Sequence, residues 1–232
     1  MFLARFKGLR VPVVHRLARQ TRQRMALTID DGPTDDCTPA LLAVLAKHRI
    51  RASFFVVGER ASRHPDGLKA IIDGGHELLS HGFSHVRFDR LTTQQIADEM
   101  DATEDMLAAF RPTPSPYPMR LPFGEGWRDR AVHQALYEWR ADCRIVHWTL
   151  SVADWEIATR CSDIQDIERE CDQTVARVMS TPRLPGQIML LHDTPIDQTH
   201  ALAPEVAPIL IDKLAHACAE KGVLVGPLGT VI

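Results

Sequence analysis

The sequence has few cysteines, and they follow no recognisable pattern. Its five cysteines among 232 residues are odd in number, widely spaced and without a Cys-x-x-Cys pair. This argues against a disulfide framework and against a cysteine-only zinc site. We therefore expect reduced, buried thiols that serve as small apolar side chains.

The sequence also lacks a long apolar run and a large excess of charge. No stretch approaches the roughly 20 apolar residues of a membrane span, and basic residues interrupt the apolar side chains of the N-terminus, which is unlike a secretory signal. The formal net charge of −3 gives no reason to expect a nucleic-acid partner. We expect a cytoplasmic protein without a transmembrane segment and without a nucleic-acid partner.

Residues 1–24 differ in composition from the rest of the chain. They contain seven basic residues and no acidic residue, with apolar side chains between them. We interpret 1–24 as a basic lead-in segment that precedes one large domain at 25–232. The segment is either a helix packed against that domain or an amphipathic stretch that contacts a membrane surface. Pro12 argues against one unbroken helix.

From residue 25 onward, short apolar runs alternate with amphipathic helical patterns. Repeated strand–helix units of this kind predict a parallel sheet covered by helices. The predicted strands are 25–29, 52–57, 76–80, 117–121, 144–150, 188–191 and 223–225. The predicted helices are 39–48 with Thr38 as N-cap, 66–73, 92–110, 129–141, 164–180 and 207–221.

Polar side chains follow many of the predicted strands. In an α/β barrel the carboxyl ends of all strands converge on one face, whereas an open doubly wound sheet gathers them mainly at one switch point. The spread of six such polar residues along the chain favours a distorted (β/α) barrel with about seven parallel strands. The residues concerned are Asp30, Asp31, His81, Arg120, Asp154 and His192.

Two adjacent carboxylates, Asp30 and Asp31, and two histidines four positions apart, His81 and His85, form a candidate metal site. Adjacent carboxylates repel each other unless a cation lies between them, and two imidazoles can complete the coordination shell of that cation. Two histidines and one aspartate with open coordination positions suit Zn or a harder first-row ion. The second aspartate is then free to act as a base toward water at the metal.

Five short motifs in this order resemble those of the polysaccharide deacetylases, also called carbohydrate esterase family 4 or the NodB homology domain. The resemblance runs from about residue 25 to the end of the chain, and the nodulation-type chitooligosaccharide deacetylases are the most similar branch. The motifs are Thr28-Ile29-Asp30-Asp31-Gly32-Pro33, His81-x-x-x-His85, Arg120-Leu121-Pro122-Phe123-Gly124, Asp154-Trp155 and Leu190-Leu191-His192.

The resemblance implies a role for each residue of a catalytic centre. One divalent metal ion is implied, with Zn expected and Co, Mn or Ni as alternatives, and its ligands would be Asp31, His81 and His85. The general base is implied to be Asp30, and the general acid His192. The residues implied to orient or tune that base and acid are Arg120 and Asp154, respectively.

The resemblance also implies the residues that contact the substrate. The turn Pro122, Phe123 and Gly124 would supply a backbone N–H, that of Phe123, to a developing oxyanion. Trp155 and Leu190 would form walls of the acetyl pocket. One departure concerns the acid, because Ser151 stands where many members carry an additional aspartate.

The function expected from these motifs is metal-dependent removal of N-acetyl groups from N-acetylglucosamine units of a chitooligosaccharide or peptidoglycan-like polysaccharide. Two alternatives keep the chemistry and change the substrate: an O-acetyl esterase or a small cyclic-amide hydrolase. A third is a catalytically silent carbohydrate-binding paralogue. The presence of both Asp30 and His192 argues against the third, since a silent copy has no reason to keep base and acid together.

Overall fold

One curled parallel sheet organises the molecule. The computed structural model describes residues 11–18, 23–196 and 199–229, and within those ranges the sheet has nine strands. The strands are β1 Val13–Val14, β2 Arg24–Asp30, β3 Ser53–Val56, β4 Glu77–Ser80, β5 Tyr117–Met119, β6 Cys143–Val146, β7 Leu150–Ser151, β8 Ile188–His192 and β9 Leu224–Gly226.

The order of the strands explains the barrel-like shape. Hydrogen bonds link them as β1-β6-β5-β4-β3-β2-β8-β7, with β9 also paired to β2, and every pair is parallel. Strand β6 is next to one end of this order and β7 is the other end. Only three residues separate these two strands in the chain, so the two sides of the sheet curl toward each other. The fold class predicted from the sequence, a distorted (β/α) barrel, is confirmed.

Seven helices connect the strands and cover the sheet within the described ranges. They are α1 Thr38–Lys47, α2 Gly58–Arg63, α3 Pro65–Asp73, α4 Thr93–Leu107, α5 Arg130–Trp139, α6 Ile164–Met179 and α7 Ala203–Glu220. None of the helices in the described part of the chain is long and apolar enough to cross a membrane.

Strand alternation separates the residues inside the barrel from those under the helices. Along β2, Ala26 packs inside with the other apolar side chains of the interior, and Thr28 and Asp30 reach the buried Arg120 on the same side. The residues between them pack in the larger cluster beneath the helices: Met25, Leu27 and Ile29. Because the period of a strand is two, Asp30 is directed into the barrel rather than toward the helix layer.

All seven predicted strands are present, and two short ones were not predicted. Strand β1 lies inside the stretch interpreted as a lead-in segment and pairs with β6. Strand β7 arises because predicted strand 144–150 breaks at His147, whose Nδ1 accepts the amide N–H of Trp148 at 2.8 Å. Two-residue strands carry no detectable periodicity. The proposed lead-in helix and membrane contact lie largely in 1–10 and 19–22, outside the described residues.

The predicted N-cap of α1 was wrong by one position. The helix begins at Thr38 itself, after Cys37, which provides no side-chain cap. The Thr38 hydroxyl accepts the amide N–H of Thr34 at 2.7 Å and donates to Asp193 at 2.6 Å. Its hydroxyl is therefore used to hold two loops together at the carboxyl end of the sheet.

Candidate active site

The carboxyl ends of several strands meet around one cavity of about 360 Å³. Asp30 is the last residue of β2, His81 follows β4, and His192 is the last residue of β8. This is the face where a parallel barrel gathers its loops. The cavity is lined by Asp30, Asp31, His81, His85, Phe123, Gly124, Trp148, Trp155, Leu190, His192, Pro195 and Ile196.

Asp30 forms a buried ion pair with Arg120. Nη1 of Arg120 donates to Asp30 Oδ1 at 2.6 Å and to the hydroxyl of Thr28 at 2.8 Å, and Nε donates to the carbonyl of Val146 at 3.1 Å. The guanidinium carbon lies 4.2 Å from the ring centre of Phe55. These contacts fix one carboxylate oxygen of Asp30 and leave Oδ2 toward the cavity, 3.6 Å from Nε2 of His81.

Asp31 faces the same cavity as Asp30 because its backbone is left-handed, with φ of 73°. In a regular strand two consecutive side chains point to opposite faces. The Oδ2 atom of Asp31 accepts the amide N–H of Ile196 at 2.9 Å. Its Oδ1 atom is buried and has no hydrogen-bond partner, and it lies 3.2 Å from Nε2 of His85 and 3.6 Å from Nε2 of His81.

The two histidines present Nε2 toward Asp31. The Nδ1–H of His81 donates to the carbonyl of Arg120 at 2.9 Å, which leaves the Nε2 lone pair free. Burial lowers the pKa of His81 to about 4, so this ring is neutral at pH 7. His85 has a left-handed backbone, with φ of 54°, and its ring centre lies 4.6 Å from that of Phe123.

These three side chains fit a divalent metal ion. One ligating atom from each of Asp31, His81 and His85 lies within 4.8 Å of the others, the only such group among the residues that the structure describes. A carboxylate oxygen without a hydrogen-bond partner, next to a neutral imidazole, is a poor arrangement without a cation and a good one with it. The donor set of two histidines and one aspartate matches a catalytic zinc-type site with open positions.

His192 is paired with Asp154. The backbone N–H of His192 donates to Asp154 Oδ2 at 2.7 Å, and its ring Nδ1 lies 3.2 Å from Oδ1. Burial acts to lower the pKa of His192, but the charge of Asp154, together with those of Asp31 and Asp30, outweighs it and raises the pKa to about 9. The imidazole is therefore protonated at neutral pH and has a proton to give.

The turn Pro122–Gly124 forms another part of the cavity rim. Phe123 has φ of 59° and is 47% exposed, and no hydrogen bond from its amide is found within the described ranges. Gly124 packs against Trp148 so closely that a Cβ would lie 2.3 Å from the indole ring. Pro122 is buried behind the turn and does not line the cavity.

The structure thus brings the residues predicted from the sequence together in or beside one cavity, except for Pro122, and it adds others. Trp148, Pro195 and Ile196 also line the cavity. Asp193, the residue after His192, is buried and accepts hydrogen bonds from Thr34 at 2.7 Å and from Thr38. Trp148 lies within the predicted strand 144–150, and that position was the signal for it. The loop residues Pro195 and Ile196 carry no periodic signal.

Ser151 does not take part in the cavity. It is exposed on β7, and its hydroxyl accepts the amide N–H of Ala153 at 3.4 Å. The carboxylate that contacts His192 is supplied by Asp154. His147 supports the cavity indirectly, because its ring stacks on Trp148 with ring centres 4.1 Å apart.

Comparison with known proteins identifies the family of this chain. The family model described as polysaccharide deacetylase matches residues 18–140, more than half of the chain. The chain belongs to the polysaccharide deacetylase family. The family resemblance predicted from the five motifs is therefore confirmed.

Individual members of the family are similar to this chain over most of its length. The chitooligosaccharide deacetylase of Bradyrhizobium sp. (strain ANU 289) is 32% identical over 167 residues, which covers 72% of this chain and 69% of that protein. The Bc1960 peptidoglycan N-acetylglucosamine deacetylase superposes with a TM-score of 0.75 at 24% identity, covering 95% of this chain and 92% of that one.

The same fold also occurs in a protein described as a pseudoenzyme. BA3943 of Bacillus anthracis, a CE4 family pseudoenzyme, superposes with a TM-score of 0.73 at 23% identity, covering 94% of this chain and 68% of that one. Family membership and fold are therefore not enough to establish turnover. Evidence for catalysis has to come from the residues of the site.

Proposed function

We propose that this protein is a metal-dependent hydrolase that removes N-acetyl groups from N-acetylglucosamine units of an oligo- or polysaccharide and releases acetate. One observation supports the proposal most strongly. A candidate general base and a candidate general acid, each held by a partner side chain, lie at one cavity beside a metal-binding cluster. Asp30 is held by Arg120, and His192 is held by Asp154. The cluster of Asp31, His81 and His85 lies beside both.

The metal would be held by Asp31, His81 and His85, with Zn expected and Co, Mn or Ni as alternatives. A divalent ion there supplies a Lewis acid that makes water nucleophilic near neutral pH. Asp30 accepts the proton of the attacking water through its free Oδ2 atom. Arg120 fixes the direction of Asp30 and places a positive charge beside it, because a buried carboxylate without a cationic partner is costly.

The remaining residues act on the acyl group and on the leaving group. The amide N–H of Phe123 is available to hydrogen-bond the oxygen that becomes negative as water attacks the acetamide carbon. As the carbon–nitrogen bond breaks, His192 donates its proton to the departing amine, which is a poor leaving group when unprotonated. The products are acetate and a free amine on the sugar.

One feature favours amide over ester hydrolysis. An alkoxide leaves more readily than an unprotonated amine, so an esterase depends less on a protonated acid. Asp154 raises the pKa of His192 to about 9, which keeps this acid charged at neutral pH. This supports the N-deacetylase assignment over an O-acetyl esterase. The silent-paralogue alternative is disfavoured because base and acid each retain their partner.

The test is hydrolysis of a panel of substrates with and without metal, measured as acetate release or, for a cyclic amide, as ring opening. Chitooligosaccharides, acetylated xylan and a small cyclic amide are incubated with chelated protein and with protein given Zn, Co, Mn or Ni. Metal-dependent acetate release from chitooligosaccharides is expected. Faster release from xylan would instead favour the esterase, ring opening of the cyclic amide would favour the amidase, and sugar binding without turnover would favour the silent paralogue.

A further inference from the structure

The two histidines of the metal cluster lie at the two ends of a short segment, 81–85. His81 follows β4 directly, and the three residues Gly82, Phe83 and Ser84 separate it from His85. The backbone is left-handed at Gly82, with φ of 76°, and at His85. This loop, 82–85, therefore makes no regular strand ladder, and its conformation has to be held by contacts from elsewhere.

Glu99 of α4 provides those contacts on one side of the loop. Its Oε2 atom accepts the amide N–H groups of Phe83 at 2.8 Å and of Ser84 at 2.9 Å. Its Oε1 atom accepts the hydroxyl of Ser84. One half-buried carboxylate thus receives three hydrogen bonds from two consecutive loop residues, and bonds to an ionised acceptor are stronger than neutral ones.

The start of α2 holds the opposite side of the loop. The amide of Gly58 donates to the carbonyl of Gly82 at 3.0 Å, and that of Glu59 donates to the carbonyl of Phe83 at 2.8 Å. The ring of Phe83 lies against Gly58, where a Cβ would come within 2.5 Å of it. Amide donors of α2 therefore hold Gly82 and Phe83, and the Glu99 carboxylate of α4 holds Phe83 and Ser84.

The two histidines differ in how their rings are oriented. His81 has a hydrogen bond from Nδ1 to the carbonyl of Arg120. The Nδ1 atom of His85 is buried and has no hydrogen-bond partner among the residues that the structure describes. Metal-binding histidines usually gain their orientation from the second ring nitrogen. His85 has no such bond, so its position depends on the backbone of loop 82–85 and on the contact of its ring with Phe123.

We propose that Glu99 is a positioning residue for the metal site: by holding loop 82–85 it sets the place of His85 relative to His81 and Asp31. This inference rests on the metal-binding part of the proposed function. Glu99 is not among the residues that line the cavity, so it acts through the loop that it holds. Its effect is on how tightly the ion is held.

Metal affinity and a spectroscopic signature test the proposal without any substrate. Chelated protein is titrated with Zn in competition with a chromophoric chelator, and the absorption spectrum of the Co form is recorded. We expect Glu99→Ala to weaken Zn binding by about 10- to 100-fold, the range for loss of a partner that orients a ligand. The Co spectrum should shift, because the ligand geometry changes.

Two matched variants separate hydrogen bonding from charge. Glu99→Gln keeps a carbonyl oxygen for the two loop amides, while the Ser84 hydroxyl can turn to accept from the new amide. We expect it to hold Zn within about twofold of the parent chain, a change smaller than the loss of one ordinary hydrogen bond. Asp98→Ala removes an exposed acid of the same helix, whose side chain accepts a hydrogen bond from Gln94, and it should leave Zn affinity unchanged.

Several outcomes would overturn the proposal. Wild-type Zn affinity in Glu99→Ala would do so, and so would equal losses in Glu99→Ala and Glu99→Gln, since charge rather than hydrogen bonding would then be responsible. If Glu99→Ala does not fold, Ser84→Ala takes its place with an expected loss of about threefold, and unchanged affinity there contradicts the proposal. A parent chain that binds neither Zn nor Co would overturn this inference and the metal site together. Metal binding without acetate release would count against the proposed substrate alone.

Discussion

Arg120 and Asp30 are joined by a 2.6 Å hydrogen bond and are both almost completely buried. The arginine comes from the end of β5 and the aspartate from the end of β2, so the pair links opposite stretches of the chain inside the barrel. A buried pair of this kind is costly to break from one side, because the remaining charge stays in a low-dielectric environment without a partner.

Replacement of Arg120 by alanine should therefore lower both stability and turnover. We expect the free energy of unfolding to fall by about 3–5 kcal/mol, as for other buried pairs that lose one partner. Arg169→Ala, which removes an exposed arginine paired with Asp166 on the surface, serves as the control and should change stability by less than about 0.5 kcal/mol. Urea denaturation measures the stability of both variants. Equal effects of the two substitutions would contradict a structural role for the buried pair.

Asp30→Asn should separate metal binding from catalysis. The variant keeps the shape of the side chain and leaves the ligating atoms of Asp31, His81 and His85 in place, so bound metal should remain. Loss of the base should lower kcat by at least about 10²-fold. Metal content and acetate release are measured on the same sample. Normal turnover in this variant would show that another group accepts the proton of water.

Asp154→Asn should change the dependence of turnover on pH. His192 acts in its protonated form, so kcat falls as pH rises through the pKa of the folded protein, which Asp154 raises to about 9. Without that carboxylate, only the charges of Asp31 and Asp30 oppose the lowering of the pKa by burial, so the pKa falls and the alkaline limb of the kcat profile moves to lower pH. A pH series on both proteins checks this. An unmoved alkaline limb would mean that His192 is not the acid.

Gly124 is expected to tolerate alanine much less well than Gly222. Both residues have φ of 66°, so both substitutions carry the same backbone strain. At Gly124 the new methyl group would lie 2.3 Å from Trp148, whereas at Gly222 nothing lies within 4 Å. Thermal melting should show a larger loss for Gly124→Ala, with a lower kcat because Trp148 lines the cavity. Similar melting temperatures would show that the indole moves aside without cost.

The metal cluster could be predicted from the residues because its parts are local, whereas the roles of Arg120, Asp154 and His192 were implied by the resemblance to a family. The strand preceding Asp30 is apolar except for Thr28, and the four-residue spacing of the two histidines is visible in the sequence. The pairing of β1 with β6 could not be predicted, because two residues show no period. The hydrogen bond from Ile196 to Asp31 joins positions far apart in the chain, and no local pattern encodes such a contact.

Backbone conformation accounts for a second group of features that the sequence did not reveal. Asp31 and His85 adopt left-handed conformations that are uncommon for residues other than glycine. Those conformations are what direct Asp31 to the same side as Asp30 and His85 toward Asp31. Each is imposed by the surrounding loops, including the Glu99 contacts described above, so it belongs to the tertiary structure rather than to the residue.

The most direct test of the account is to measure metal content and acetate release together on one preparation. Chelated protein is given increasing amounts of Zn, and bound metal per chain is compared with the rate of acetate release from a chitooligosaccharide. The account predicts that activity rises in proportion to occupancy and reaches its limit at one ion per chain, and that His81→Ala neither binds the ion nor turns over. Full activity in metal-free protein would contradict it.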